Sequence, residues 1–464
     1  AGVFGLLCYQ RMFPAHAIKS NPWIATYLTI LLLPFFTLYW LVPIFSNLTI
    51  GNDYSGYSLN QQLELMFSIK NSTFPLFVPG FEGGPSSAAL TLGQIWHPIA
   101  RLAEVSPGYW NGHALDWGTF YRLTSLGVAH LLLFRLLRLL KIPIIIAFLL
   151  SFITVYNFRM LDQFRYGAGL EAYTGCVFLI VASGYRYLKG TGTAGIAWIV
   201  MATYWLITSG HPQFMYLCLI TALLFTILFP FVVSSLRDRC VLSVNSYLRY
   251  LSSTGAGVLI GIGLSSCYWM PFLVEVLGAN SQRVGQTYQW SLAYSESFLG
   301  LLNGIFFPLA SDVHSNFGGS SLILLSVTCV VCVFKGRHIP LVIWLMWGIL
   351  ILVFLVSLGD FTFLHYIYWK IVPFADSQRV PGRISVLLPP VIMLILVWFF
   401  QPSVNPTTTN PTNTNERRYL IVPLISFFLF IGYFFFVVEG SSTTGKFTPL
   451  QINGPLSPRD IYLI

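Results

Sequence analysis

Residues 212–234 read PQFMYLCLITALLFTILFPFVVS, and no side chain in that run carries a charge. About 20 apolar residues let a helix cross the hydrocarbon of a bilayer. Runs of this kind recur along the chain, near 23–46, 119–140, 142–157, 172–187, 193–210, 212–234, 250–273, 319–335, 339–358, 384–401 and 418–438. A shorter stretch, 298–310, contains Gly304 and Pro308 and reads as a re-entrant or interfacial piece. The expected fold is therefore an all-α polytopic membrane protein. It has about 11 transmembrane helices, one short or re-entrant helix and a long first external loop.

Composition shows what such a chain is not. It is 55% hydrophobic and 9% charged over 464 residues. Ordinary soluble domains are about 25% charged. Too few polar side chains exist to coat several soluble domains, and intrinsic disorder needs the opposite balance. The formal charge of +9 does not indicate a nucleic-acid partner. The basic residues lie scattered between apolar runs, whereas phosphate tracking needs them on one polar face.

Their placement instead sets an orientation. With the N-terminus in the cytoplasm and alternating spans, the cytoplasmic bases are Arg11, Lys19, Arg135, Arg138, Lys141, Arg186, Lys189, Arg237, Arg239, Arg249, Lys335, Arg337, Arg417 and Arg418. The only acids on that side are Asp238 and Glu416. This obeys the positive-inside rule at every connection. The resulting organisation is a cytoplasmic N-terminus (1–22), a first span (23–46), an external loop (47–118), a helical bundle (119–438) and an external tail (439–464). Residues before 23 lack the basic start and cleavage site of a signal peptide.

Several chemistries find no motif. Cys329 and Cys332 have CxxC spacing but sit in an apolar run, so they read as small buried hydrophobes. No HExxH, phosphate-binding GxxxxGK[ST], dinucleotide glycine pattern followed by a helix and an acid, or GxSxG elbow occurs. No cofactor is expected, with a divalent metal left open.

Polar residues concentrate on the non-cytoplasmic side. The 47–118 loop holds Asp53, Glu64, Glu82, His97, Glu104, His113 and Asp116 among Tyr54, Tyr57, Phe74, Trp96, Tyr109, Trp110 and Trp117. Carboxylates accept sugar hydroxyl protons, and aromatic faces stack on the C–H patches of pyranose rings. The same composition also suits an amphipathic stretch lying at the interface. Further outward groups are Arg159, Asp162, Arg165 and Glu171, then His211 and Gln213, then Asp376, Gln378, Arg379 and Arg383. Charges this near a bilayer are costly unless paired or lining a wet cavity. Their placement on one side implies a single outward cleft.

Four strings, in order, resemble the YfhO-like family of bacterial polytopic membrane proteins, within the GT-C class of lipid-linked-sugar glycosyltransferases. They are Gly51-Asn52-Asp53 continuing into FPLFVPGFEGGP (74–85), SGHPQ (209–213), SESFLGLLNGIFFP (295–308) followed by NFGGSSLILL (316–325), and RVPGRISVLL (379–388). Phe77 stands where the family loop often has Trp. The resemblance implies transfer of a sugar from a polyprenyl-phosphate donor to an acceptor outside the cytoplasm, in a bacterial inner membrane. Asp53 matches the family's acid after the first span, the catalytic base or acceptor-binding group. Its role would be to take the acceptor proton, though an Asp there also suits a helix N-cap. Arg379 and Arg383, or Arg159 and Arg165, would hold the leaving phosphate, and His211 would donate to it. For the two C-terminal arginines, snorkelling to the interface is the alternative. Glu82 and His97 join the substrate-binding set. The implied partners are membrane lipids, the polyprenyl-phosphate-linked sugar and other membrane subunits. A non-catalytic subunit of a larger complex, or a lipid or polyisoprenoid transporter, are the competing readings. A transporter would be expected to show an internal repeat, and none is evident.

Overall fold

The computed structural model describes residues 22–37, 96–111, 113–156, 169–190, 192–236, 243–278, 286–292, 295, 339–378 and 381–400. All regular structure among them is helical. The long helices are α1 (Pro22–Thr37), α3 (Ala114–Leu139), α4 (Ile144–Val155), α5 (Leu170–Lys189), α6 (Gly192–Ile207), α7 (Pro212–Leu236), α8 (Val244–Leu264), α9 (Ser266–Gly278), α11 (Leu341–Ser357) and α13 (Leu388–Phe400). Short helices α2 (Pro98–Glu104), α10 (Tyr288–Ser291) and α12 (Phe363–Ile371) lie between them.

Three helices, Asp116–Leu139, Pro212–Leu236 and Pro381–Phe400, are long and apolar enough to cross a membrane. That is compatible with an integral membrane protein. Helices α4 and α7 show how hydroxyls are accommodated in such apolar helices. Every backbone group must be satisfied within the helix, and hydroxyls inside apolar helices turn back onto it. Ser151, Thr154, Thr221 and Thr226 each donate to the carbonyl four residues earlier at 2.7–2.8 Å.

Close approach of small residues joins the helices, a packing mode also used by helices in membranes. A Cβ on Gly175 of α5 would lie 2.7 Å from the Leu206 backbone of α6. Gly257 and Gly261 of α8 meet Ile199 and Thr203 of α6 in the same way. The centre of the bundle is α13, almost all of whose side chains are buried, against α7, α4 and α11.

Two expected spans have internal breaks. The 250–273 run divides at Ser265, whose Oγ bonds the Gly261 and Ile262 carbonyls while Trp269 Nε1 also donates to Ile262 O at 2.8 Å. These donors satisfy the end of α8, and Pro271 lies further on, inside α9. The 384–401 run starts as a 3-10 helix, Pro381–Leu387. Pro389 and Pro390 cannot donate back to Ser385 and Val386, so the α-helix begins only at Leu388. The expected runs at 298–310, 319–335 and 418–438 lie outside the described residues.

The two ends of the bundle differ in charge. One carries Arg135, Arg138 and Lys141 at the end of α3, Arg186 and Lys189 in the last turn of α5, and Arg249 early in α8. Arg186 links these elements, donating to Ser253 Oγ at 2.8 Å and Gly192 O at 2.6 Å. The other end has Asp116 and Glu171 in the first turns of α3 and α5. Acids at helix N-termini and bases at C-termini both favour the macrodipole.

Candidate functional site

Two polar groupings form at the acid-bearing end. The first begins with a His-Pro dipeptide. Pro98 starts α2 where its missing N–H costs nothing, and His97 caps the helix by accepting from Ile99 N at 3.3 Å on Nδ1. Acceptance at Nδ1 leaves the proton of the neutral ring on Nε2. The ring is fully buried, edge-on to Trp205 at 4.7 Å. Tyr204 of the same helix α6 donates to Trp96 O at 3.0 Å, tying this segment to the bundle. Burial holds the imidazole far below its ordinary value, to about 3, and the Arg122 charge adds to that; the Trp205 carbonyl opposes it weakly. His97 Nε2 makes no hydrogen bond of normal geometry among the described residues.

Beneath it, Arg122 of α3 donates from Nε to Glu171 Oε1 of α5, and both side chains are sealed from solvent. Glu171 Oε2 has no hydrogen-bond partner among the described residues. Trp205 Nε1 reaches Thr174 Oγ1, one turn along α5 from Glu171, at 3.2 Å. Nearby, His113 meets Asp116 at 2.9 Å, with the imidazole largely exposed.

The second grouping joins two strings far apart in sequence. His211-Pro212 starts α7 as His97-Pro98 starts α2, with His211 Nδ1 accepting from Phe214 N at 3.4 Å. Here the ring is only partly buried, edge-on to Phe214 at 4.9 Å. Arg383 donates to Gln213 Oε1 at 2.8 Å, and its guanidinium stands 5.5 Å over the same Phe214 ring. Tyr216 donates to Pro373 O at 2.8 Å, and its ring meets Phe374. Tyr368 donates to Gln378 Oε1 at 2.7 Å. The SGHPQ turn and the stretch before α13 thus form one patch. A partly exposed imidazole, a guanidinium and aromatic faces can bind a phosphate or polar headgroup.

Of the residues singled out from sequence, His211 and Arg383 come together through Phe214, while His97 lies with Trp205 and near Arg122. Asp53, Glu82, Arg159, Arg165 and Arg379 lie outside the described residues. Arg122 was not singled out, although a charge inside an apolar run was its signal. Among the described residues no cluster of three or more His, Cys, Asp or Glu is placed to hold a metal. A shallow apolar hollow lined by Thr193, Ile196, Ala197, Val200 and Met201 lies on the opposite half of α6 and offers nothing to a polar ligand.

Among the described residues these features define an all-helical protein whose long apolar helices are compatible with membrane insertion, with bases at one end of the bundle and the two mixed polar groupings at the other. No protein-family model, curated protein or solved structure matches the chain.

Proposed function

We propose that this chain is an integral membrane glycosyltransferase of GT-C type, resembling the YfhO-like family. It has about 11 spans, a cytoplasmic N-terminus and a bacterial inner-membrane location. It moves a sugar from a polyprenyl-phosphate donor to an acceptor on the non-cytoplasmic side. One observation carries the reading: His211, Gln213 and Arg383 meet at the end of the bundle opposite Arg135, Arg138, Arg186 and Lys189. If the basic end is cytoplasmic, that patch sits at the depth of outer headgroups, where a lipid phosphate and its sugar also sit. Arg383 then stabilises charge on the leaving phosphate, with His211 Nε2–H as a second donor. Asp53 takes the proton of the acceptor hydroxyl as it attacks the anomeric carbon.

A second reading, a non-catalytic membrane subunit, draws support from the burial of His97, Arg122 and Glu171, which makes that grouping structural. One assay separates the two. The full chain in vesicles is given polyprenyl-phosphate sugars, and transfer is compared with that of Asp53→Asn and Arg383→Ala. Transfer that collapses in both variants supports the enzyme. Transfer unchanged by Asp53→Asn removes Asp53 from the mechanism, and no transfer by the unaltered chain favours the subunit.

A further inference from the structure

The 359–383 stretch, which the sequence presents as a loop, contains α12, a helix with two unlike faces. Phe363, Tyr366, Ile367, Lys370 and Ile371 fall at i, i+3, i+4, i+7 and i+8, and all are exposed. Phe363 and Ile371 are 73% and 72% exposed, and Phe361 and Phe374 continue the apolar surface beyond each end. Normally that spacing marks the face a helix buries. Left in water, Phe363, Ile367 and Ile371 forgo the gain of apolar burial.

The other face is anchored. Thr362 Oγ1 donates to Leu355 O at 2.7 Å, and His365 Nδ1 lies 3.1 Å from Val356 O. Both carbonyls belong to the last turn of α11, where the i+4 donors of a continuing helix are missing and the capping Leu358 N–H also reaches them. Burial keeps the His365 imidazole below its ordinary value, so it serves as a neutral Nδ1–H donor. Tyr368 bonds Gln378, and Tyr288 of α10 packs on His365, Tyr366 and Trp369. The apolar stripe is thus held outward by a fixed mount.

We propose that α12 lies flat in the lipid–water interface of the leaflet at the acid-bearing end, with Phe363, Ile367 and Ile371 in the upper acyl region and Lys370 on a lipid phosphate. Three observations favour lipid as the occupant. The surface continues a lipid-type one, because α11 leads into α12 through the Gly359–Phe361 turn and exposes Leu341, Trp344, Leu345, Ile351 and Leu352. The nine residues of α12 extend only ~14 Å, too short to span but suited to lying in the plane. The stripe holds one charge, a lysine whose stem can stay in the apolar layer while its ammonium reaches phosphate. Through Tyr216 and Pro373, this helix also fixes the depth of the Arg383 patch. The inference rests on the membrane reading and not on sugar transfer.

The test places an environment-sensitive fluorescent amino acid singly at 363, 367 or 371 in the full chain. Reconstitution is in phosphatidylcholine–phosphatidylglycerol vesicles with nitroxide-labelled phosphatidylcholine. Nitroxides at the headgroup or the top of the acyl chain are expected to quench about threefold more than one near the chain end. The same label at Ile351 is expected to reverse that order. Emission characteristic of water overturns the proposal. So does blue-shifted emission that no lipid nitroxide quenches, since a second copy or another segment would then cover the stripe. Asp53→Asn, which ends transfer on the reading above, leaves the quenching unchanged, so the two ideas fail separately.

Discussion

Arg383 and Gln213, 170 residues apart in the chain, meet through a 2.8 Å hydrogen bond from guanidinium to amide oxygen. The contact fixes the start of α7 against the turn entering α13, and Phe214 stacks beneath the guanidinium. Gln213→Ala is expected to cost about 1 kcal/mol of stability, because the site is only half-buried. Arg383→Lys keeps the charge but loses the planar fork. A double-mutant cycle on thermal unfolding in detergent should give a coupling of roughly 1 kcal/mol. Strict additivity of the two changes would mean the contact does not hold these elements together.

The Arg122–Glu171 pair makes a sharper demand. Breaking a buried pair strands the remaining charge, which costs about 3–5 kcal/mol. Glu171→Ala or Arg122→Ala should therefore lower the unfolding temperature strongly. Arg122→Met with Glu171→Leu removes both charges and fills the space, and it is expected to recover most of the loss. If the double change is as damaging as either single one, the pair is required for more than mutual neutralisation.

Much of the bundle was legible because apolar length reports helices directly. The runs at 119–140, 172–187 and 212–234 match α3, α5 and α7 to within a few residues. The His-Pro starts of α2 and α7 were legible in principle, as proline tolerates the first helical position. Neither His97's burial nor the neighbour that encloses it was legible, because Trp205 is 108 residues away. Nor was α12. Its aromatic stripe resembles a loop at the interface until the mount on α11 shows which face is free. The meeting of Gln213 with Arg383 followed only from the expectation of one outward cleft, since no local pattern encodes a contact across that distance.

His97 predicts a pH dependence. Its folded value is about 3 against 6.5 unfolded. Below pH 6.5 the unfolded chain takes a proton that the folded ring refuses, so stability falls as pH drops from 6.5 towards 3 and is unaffected above that window. At pH 5 the loss from this group is on the order of 2 kcal/mol. His365 is shifted in the same direction and adds to the slope. His97→Asn keeps an N-cap acceptor and removes the titration. Unfolding midpoints for the two proteins should therefore agree near pH 7.5 and diverge at pH 5, the variant being the more resistant. Parallel profiles would show that His97 is not the group refusing the proton.

The glycines of α8 separate packing from propensity within one helix. A Cβ on Gly261 would sit 2.6 Å from Thr203 Cβ and 2.9 Å from the Val200 carbonyl, and one on Gly257 would sit 2.8 Å from Ile199 Cγ2. Gly255 and Gly263 have open space there. Gly261→Ala must push α6 and α8 apart, and such overpacking costs about 1–3 kcal/mol. Gly255→Ala and Gly263→Ala meet nothing and gain helix propensity, up to about 1 kcal/mol in an aqueous helix and less in lipid. Thermal unfolding in detergent should therefore fall for Gly261→Ala and hold or rise for the other two. An equal fall at all three positions would mean that glycine in α8 is needed for backbone flexibility, not for the close approach of α6.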